Sequence, residues 1–411
     1  MTAMVSQHNQ LAIDGGTPVR SKPFGPWPLW DERDEEALLR ALRSGNWGIG
    51  GDETERFEQE LAEAAGARYA LTVTNGTAAL EAALRACGVG YGDEVIVPPY
   101  TFIATASAVL LVGGIPVFAD IDPNTFNIDP NTIEALITPR TKAIVPVHIG
   151  GLPADMDAIM EIARRHNLLV LEDACQAIGA TWRGQWVGAI GDIGCYSFQS
   201  SKNINSGEGG AIITSNPQLE EACWGFKNCG RVRGGQWYQH ETLGDNFRLS
   251  QFQAAILRSQ MSRFEEWAAL RERNGDYLCQ GLRELGGLMP VVRDERVTRH
   301  AYHIVVTRYD SSAFGGWSRE RFMEALRAEG IPCAPGYRPI YDTGGIQKGE
   351  QTLRKALGLG PAPKPNCPVT ERVCHAEAMW LVGQSALLGS QSDMDDILTA
   401  VEKIKKAAQK G

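Results

Sequence analysis

The chain has 411 residues, 43% of them hydrophobic and 22% charged, the make-up of a soluble globular protein too long for one ordinary core. Its net charge of −9, with no basic block, argues against a nucleic-acid partner, which needs clustered Lys and Arg. Nine cysteines stand singly with no CxxC pair, and neither a secretion signal nor an apolar run long enough for a bilayer is visible; the expectation is a cytoplasmic protein with reduced thiols and no membrane partner.

Residues 1–30 are rich in Pro and Gly and carry WPLW at Trp27–Trp30, which reads as an extended arm that must bury its aromatics on a neighbouring domain or subunit. Helical spacing follows over Asp31–Ser44 and Thr54–Ala65, the second with Thr54 as N-cap. Short strand-like runs then appear at Tyr69–Thr72, Glu94–Val97, Pro116–Ala119, Lys142–Val147, Leu168–Leu171, Gly194–Phe198 and Ala211–Ser215. Helical segments lie between most of them, at Thr77–Cys87, Thr101–Val112, Pro130–Ala135 and Met156–His166. This alternation predicts an α/β fold with a seven-stranded, mainly parallel sheet flanked by helices. Beyond residue 215 it stops. Leu249–Gly286 is helical and leads into a smaller α+β unit, with a strand at Tyr302–Tyr309 and helices at Ser318–Glu329 and Ser392–Ala408. The expected division is an arm (1–30), a large domain (31–262) and a small C-terminal domain (263–411).

In a parallel sheet, ligands gather at the carboxyl ends of the strands, so the chemistry is sought just after each one. After the first strand, TNGT opens a helix, and its free amides with Gly76 and Thr77 form a candidate anion cradle. After the second, PPYTF offers Phe102 as an aromatic plate. After the fifth, LEDACQAIGA carries Asp173, a carboxylate that needs a cation or hydrogen bonds if buried, and Gln176 three positions on. After the sixth comes a polar, glycine-bearing loop with Ser197 at its start and one lysine, Lys202, at its centre. Partial desolvation there favours the neutral amine that makes a Schiff base. Taken singly, each feature also suits an ordinary capped helix, a core aromatic or a surface turn. Together they describe a site for pyridoxal 5'-phosphate.

Five segments in order, TNGTAAL, PPYTFIAT, EDACQAIGA, SFQSSKN with GEGG, and DNFRLSQFQAAIL, resemble the fold-type I sugar aminotransferases of the DegT/StrS group. The resemblance runs from about Phe24 to the C-terminus. It implies that Lys202 holds the cofactor and moves protons, that Asp173 meets the pyridine nitrogen and Gln176 the phenolic oxygen, and that Phe102 stacks on the ring. Gly76, Thr77 and Ser197 would bind the phosphate, with Asn246 reaching the phosphate of a second copy in a homodimer with shared active sites. Arg248 is a candidate for the carboxylate of the amino donor, glutamate or glutamine. Trp47, His148, Tyr337, Arg338 and Tyr341 are candidates to face the ketone acceptor, a keto-sugar or keto-cyclitol. His300, His303 and His375 have no metal-ligand spacing, and no metal is expected. The implied activity is ping-pong transamination. The alternatives are an enzyme of the aminohydroxybenzoate-forming type and a non-catalytic cofactor-binding regulator.

Overall fold

The computed structural model describes residues 10–410, so the first nine residues of the expected arm lie outside the described residues. In chain order the strands are β1 (Tyr69–Val73), β2 (Glu94–Val97), β3 (Ile115–Phe118), β4 (Thr141–Ile144), β5 (Leu169–Asp173), β6 (Thr181–Trp182), β7 (Gln185–Trp186), β8 (Ile193–Ser197), β9 (Gly210–Thr214), β10 (Leu288–Pro290), β11 (Val297–Arg299), β12 (Val306–Tyr309) and β13 (Ala378–Trp380). Seven of them form one sheet in the order β1-β9-β8-β5-β4-β2-β3. Neighbours from β8 through β5, β4 and β2 to β3 pair in parallel, and β9 pairs antiparallel with both β1 and β8. The mainly parallel sheet expected from the alternation is therefore present. Its central strands are apolar and buried on both faces because helices cover both. One apolar layer holds Phe57, Ile159 and Phe198, and the opposite one Leu80, Val109 and Cys223.

Residues 288–408 contribute a second sheet, β10-β12-β13, backed by the helices Arg319–Ala328 and Gln391–Ala408. Phe314, Phe322 and Ile397 are among its core residues. The arm docks on this part of the same chain: Leu11 is buried in its core, with Val19 and Phe24 packed beside it. Glu329, fully buried, fixes the arm by accepting from the Ala12 and Val19 amides (both 2.9 Å) and pairing with Lys403 at 2.9 Å. A little further on, Trp27 packs edge-on against Trp267.

Three local expectations are corrected by tertiary contacts. The helix expected to start behind Thr54 spans Glu53–Ala65, and the side-chain oxygen of distant Gln251 accepts from the Glu53 and Thr54 amides (2.8 and 3.2 Å) where an N-cap would. The long helical run breaks at Ser262–Arg263 into Gln251–Met261 and Phe264–Leu285. There the buried Arg263 guanidinium pairs with Asp34 at 2.7 Å and Asp31 at 2.8 Å. The strand read from Tyr302 begins only at Val306, because Tyr302 takes a left-handed conformation (φ 46°) and the His303 amide is tied to the Gly150 carbonyl at 2.9 Å. None of the nine cysteines is paired. Among the described residues no helix is long and apolar enough to cross a membrane.

Candidate active site

The carboxyl ends of β1, β2, β5 and β8 open onto one cavity of about 830 Å³, closed on its far side by His303, Tyr337 and Trp380. The helix Gly76–Ala86 points its N-terminus into it. Asn75 caps that helix by accepting from the Ala78 amide at 2.9 Å, which leaves the Gly76 and Thr77 amides without a partner among the described residues. A Cβ on Gly76 would lie 2.9 Å from Ser197 Cβ and 3.0 Å from Cys175 Sγ, so a glycine is what lets the helix end close on β8. Free amides, the positive helix end and the Ser197 hydroxyl form a pocket for an anion.

Asp173 ends β5 with 5% of its surface exposed. Its Oδ2 accepts from Thr105 Oγ1 at 2.8 Å and its Oδ1 from the Cys175 amide at 3.2 Å. Thr105 is in turn 3.0 Å from Thr101. Two bonds leave acceptor capacity on a carboxylate that could take up to about four. Gln176 is held by the Gly150 amide on its oxygen (2.8 Å) and by Tyr337 Oη on its nitrogen (2.9 Å). Phe102 stands at the mouth, 56% exposed.

Lys202 sits in a loop pinned on both sides: its amide donates to Gln199 O at 2.8 Å, Asn203 Nδ2 to Ala301 O at 2.7 Å, and the Asn205 amide to Gln260 Oε1 at 3.0 Å. Desolvation lowers the pKa of its ammonium below the ordinary value, and the nearby Cys175 and Asp173 oppose this in part. The same burial raises the Cys175 thiol well above its usual range, and Asp173 adds to the rise.

The cavity thus gathers Gly76, Thr77, Phe102, Asp173, Gln176, Ser197, Lys202 and Tyr337. It does not gather the rest. His148 is corrected: it is fully buried, its Nδ1 accepts from the Ala154 amide at 3.0 Å, and its Nε2 donates to Glu172 at 3.1 Å, so neither nitrogen is free for a substrate. Tyr341 is corrected as well, being 6% exposed, packed edge-on against Phe118 and not among the lining residues. Trp47 lies outside on Phe252 with its indole N–H on the Leu42 carbonyl. Arg338 is exposed, and Arg248 donates to Cys229 Sγ at 3.7 Å, its one side-chain partner among the described residues. Asn246 is exposed beside Asn228 and is not among the lining residues, although its neighbour Phe247 is. Residues missed from the sequence are Thr101, Thr105, His303 and Trp380. The threonines carried a signal, since they fall four apart in the TFIAT segment at the start of a helix; His303 and Trp380 arrive 101 and 178 positions after Lys202.

Comparison with known proteins covers nearly the whole chain. The model of the DegT/DnrJ/EryC1/StrS aminotransferase family matches residues 28–401. The chain belongs to that family. It is an aminotransferase by that membership, with the fold-type I architecture already described. The L-glutamine:2-deoxy-scyllo-inosose aminotransferase of Streptoalloteichus tenebrarius is 39% identical over 96% of this chain and 97% of that protein. The 3-amino-5-hydroxybenzoate synthase of Amycolatopsis mediterranei is 39% identical over 90% of this chain and 94% of its own. The crystal structure of a 3-amino-5-hydroxybenzoic acid synthase superposes with a TM-score of 0.85 at 34% identity, covering 95% of this chain and all of that one.

Proposed function

We propose that this aminotransferase moves nitrogen from glutamine to a ketone on a cyclitol ring, using pyridoxal 5'-phosphate held at Lys202. The observation that carries the reading is one cavity in which a desolvated lysine amine stands near a carboxylate with free acceptor capacity and a helix end with two free amides. The residues fit the cofactor. Gly76, Thr77 and Ser197 suit its phosphate, Asp173 its protonated ring nitrogen, Gln176 its phenolic oxygen, Phe102 the face of its ring, and Lys202 Nζ its aldehyde. Bound there, the charged ring supplies a sink for the electrons left when a Cα–H bond breaks. Asp173 keeps the positive charge of the sink in place. Lys202 Nζ takes the proton from the Cα of the amino donor, and later delivers one to the carbon that receives nitrogen. The walls contributed by His303, Tyr337 and Trp380 exclude water from that transfer.

The preference for glutamine and a cyclitol rests on the full-length relative that acts on 2-deoxy-scyllo-inosose, and it is testable. Wild-type protein with glutamine or glutamate is offered cyclitol ketones and nucleotide-linked keto-sugars, and products are read by mass spectrometry. Amination of the nucleotide sugars alone refutes the cyclitol assignment. A second reading, formation of an aminohydroxybenzoate, is favoured by the 39% identical synthase and by the superposition; an aromatic product in the same screen would decide for it. A purely binding role has no support in the site, since Lys202 and Asp173 are both present and aimed at one cavity.

We also propose a homodimer. The segment carrying Asn246 and Arg248 exposes Trp237 (83%), Tyr238 (77%) and Leu243 (91%), a surface suited to a second copy, where Asn246 would meet the other phosphate and Arg248 the donor carboxylate. Mixing inactive Asn246→Ala and Lys202→Ala proteins should regenerate activity in the heterodimer, and no recovery on mixing would remove the shared site. The division into 31–262 and 263–411, at the helix break beside Arg263, is our assignment on the same footing.

A further inference from the structure

One wall of the cavity carries a histidine. It is His303, 6% exposed, on the backbone tie to Gly150 that ends the strand early. Behind it lies Arg271, fully buried, with no carboxylate paired to it among the described residues. Its Nη2 donates to the Asn203 carbonyl at 2.7 Å, its Nε donates to Gln384 Oε1, and its Nη1 has no partner. The rings of Trp27 and Trp267 lie 5.4 and 5.9 Å from its guanidinium carbon. Burial brings its pKa down to about 9, which still leaves it charged at neutral pH.

This cation sets the orientation of the Gln384 amide, which turns its NH2 toward His303. A guanidinium only donates, so Gln384 must turn its oxygen toward Arg271. The amide nitrogen of Gln384 then faces the other way, donating one hydrogen to Asn203 Oδ1 at 2.8 Å and presenting the other to His303, whose Nδ1 and carbonyl oxygen both lie at 3.3 Å. With Nδ1 an acceptor, the proton of a neutral imidazole is on Nε2. The ring is neutral because burial, with the cations of Lys202 and Arg271 nearby, holds His303 well below the ordinary histidine range. Nε2 has no partner among the described residues, and the ring lines the cavity next to Tyr337, Trp380 and Lys202.

We propose that His303 donates Nε2–H to a hydroxyl or keto oxygen of the acceptor, and that Arg271 and Gln384 are positioning residues that fix its tautomer. The proposal rests on the aminotransferase reading and adds a binding group for the ketone. A neutral donor on the same cavity wall as the paired rings of Tyr337 and Trp380 suits an uncharged polyol, whose hydroxyls accept from it and whose C–H faces rest on the rings.

Two measurements test it, on the full-length holoenzyme. In nitrogen-15 spectra of histidine-labelled protein, the His303 signals are those lost in His303→Gln. They should report a neutral ring with the proton on Nε2 from about pH 6 to 8, and Gln384→Glu, which presents only acceptors, should move that proton or add a second. A wild-type ring protonated on Nδ1 overturns the proposal. In single-turnover kinetics, His303→Phe should slow the acceptor half-reaction about tenfold or more, the loss of one hydrogen bond in a dry site, and leave the glutamine half-reaction within about twofold. His303→Gln should recover part of the loss through its own amide N–H. Equal losses in both half-reactions, or an unchanged acceptor half-reaction, overturn it. A wild-type enzyme inert in both half-reactions would refute the reaction assigned above, and the tautomer would still decide the Arg271–Gln384 chain.

Discussion

Glu172 and Asp173 are neighbours at the end of β5, and because strand side chains alternate they face opposite sides of the sheet. Glu172 has no exposed surface and is satisfied from within the protein. It accepts from the amides of Gly188 (2.7 Å), Ile190 (2.7 Å) and Gly191 (2.6 Å) and from His148. Asp173 has one hydroxyl and one amide, and looks into the cavity. Both are buried acids one residue apart. What separates the structural carboxylate from the one proposed to work on the cofactor is how much bonding capacity the protein leaves unused.

The largest expected effect lies on the Asp173 side. Lys202→Ala should cut turnover by roughly 10⁴-fold or more while the thermal midpoint stays within a few degrees; turnover at the wild-type rate would remove the reason for calling that side the active one. Asp173→Asn keeps the shape and removes the charge, and steady-state assays should find turnover lower by roughly 10²- to 10³-fold with little loss of stability. An Asn variant as active as wild type would make the two acids equivalent. On the other side, Glu172→Ala leaves three amides and His148 unpaired. Urea denaturation should register a loss of about 3–5 kcal/mol, with turnover per folded molecule within about threefold. A stable but inactive Glu172→Ala protein would reverse the contrast. The smallest change is Thr105→Val, expected to lower turnover about fivefold by freeing one oxygen of Asp173, with stability down by about 1 kcal/mol.

This contrast marks how far the chain could be read before its structure. Asp173 and Lys202 stand out in the sequence because each follows an apolar strand at once, and parallel-sheet topology then brings them together. Their chemistry is local in sequence. His148 also follows β4 and is a lesser candidate by sequence, but whether it meets solvent depends on Glu172 and Ala154, which no spacing rule connects to it. The helix start at Glu53 and the break at Arg263 were hidden for the same reason, being set by Gln251 and by Asp34. His303, Gln384 and Arg271 are separated by as much as 113 positions, as in the Arg271–Gln384 bond, and lack any periodic or capping signature. Side chains that act through packing partners far along the chain leave no pattern for a window of a dozen residues to detect.

Cys175 shares the cavity with Lys202, and low polarity acts on the two in opposite senses. An amine attacks in its uncharged form and sulfur in its anionic form, so withdrawing water arms the first nucleophile and disarms the second. An incoming aldehyde therefore meets two potential reaction partners of which only nitrogen competes, and chemoselectivity is obtained without any barrier in space between them.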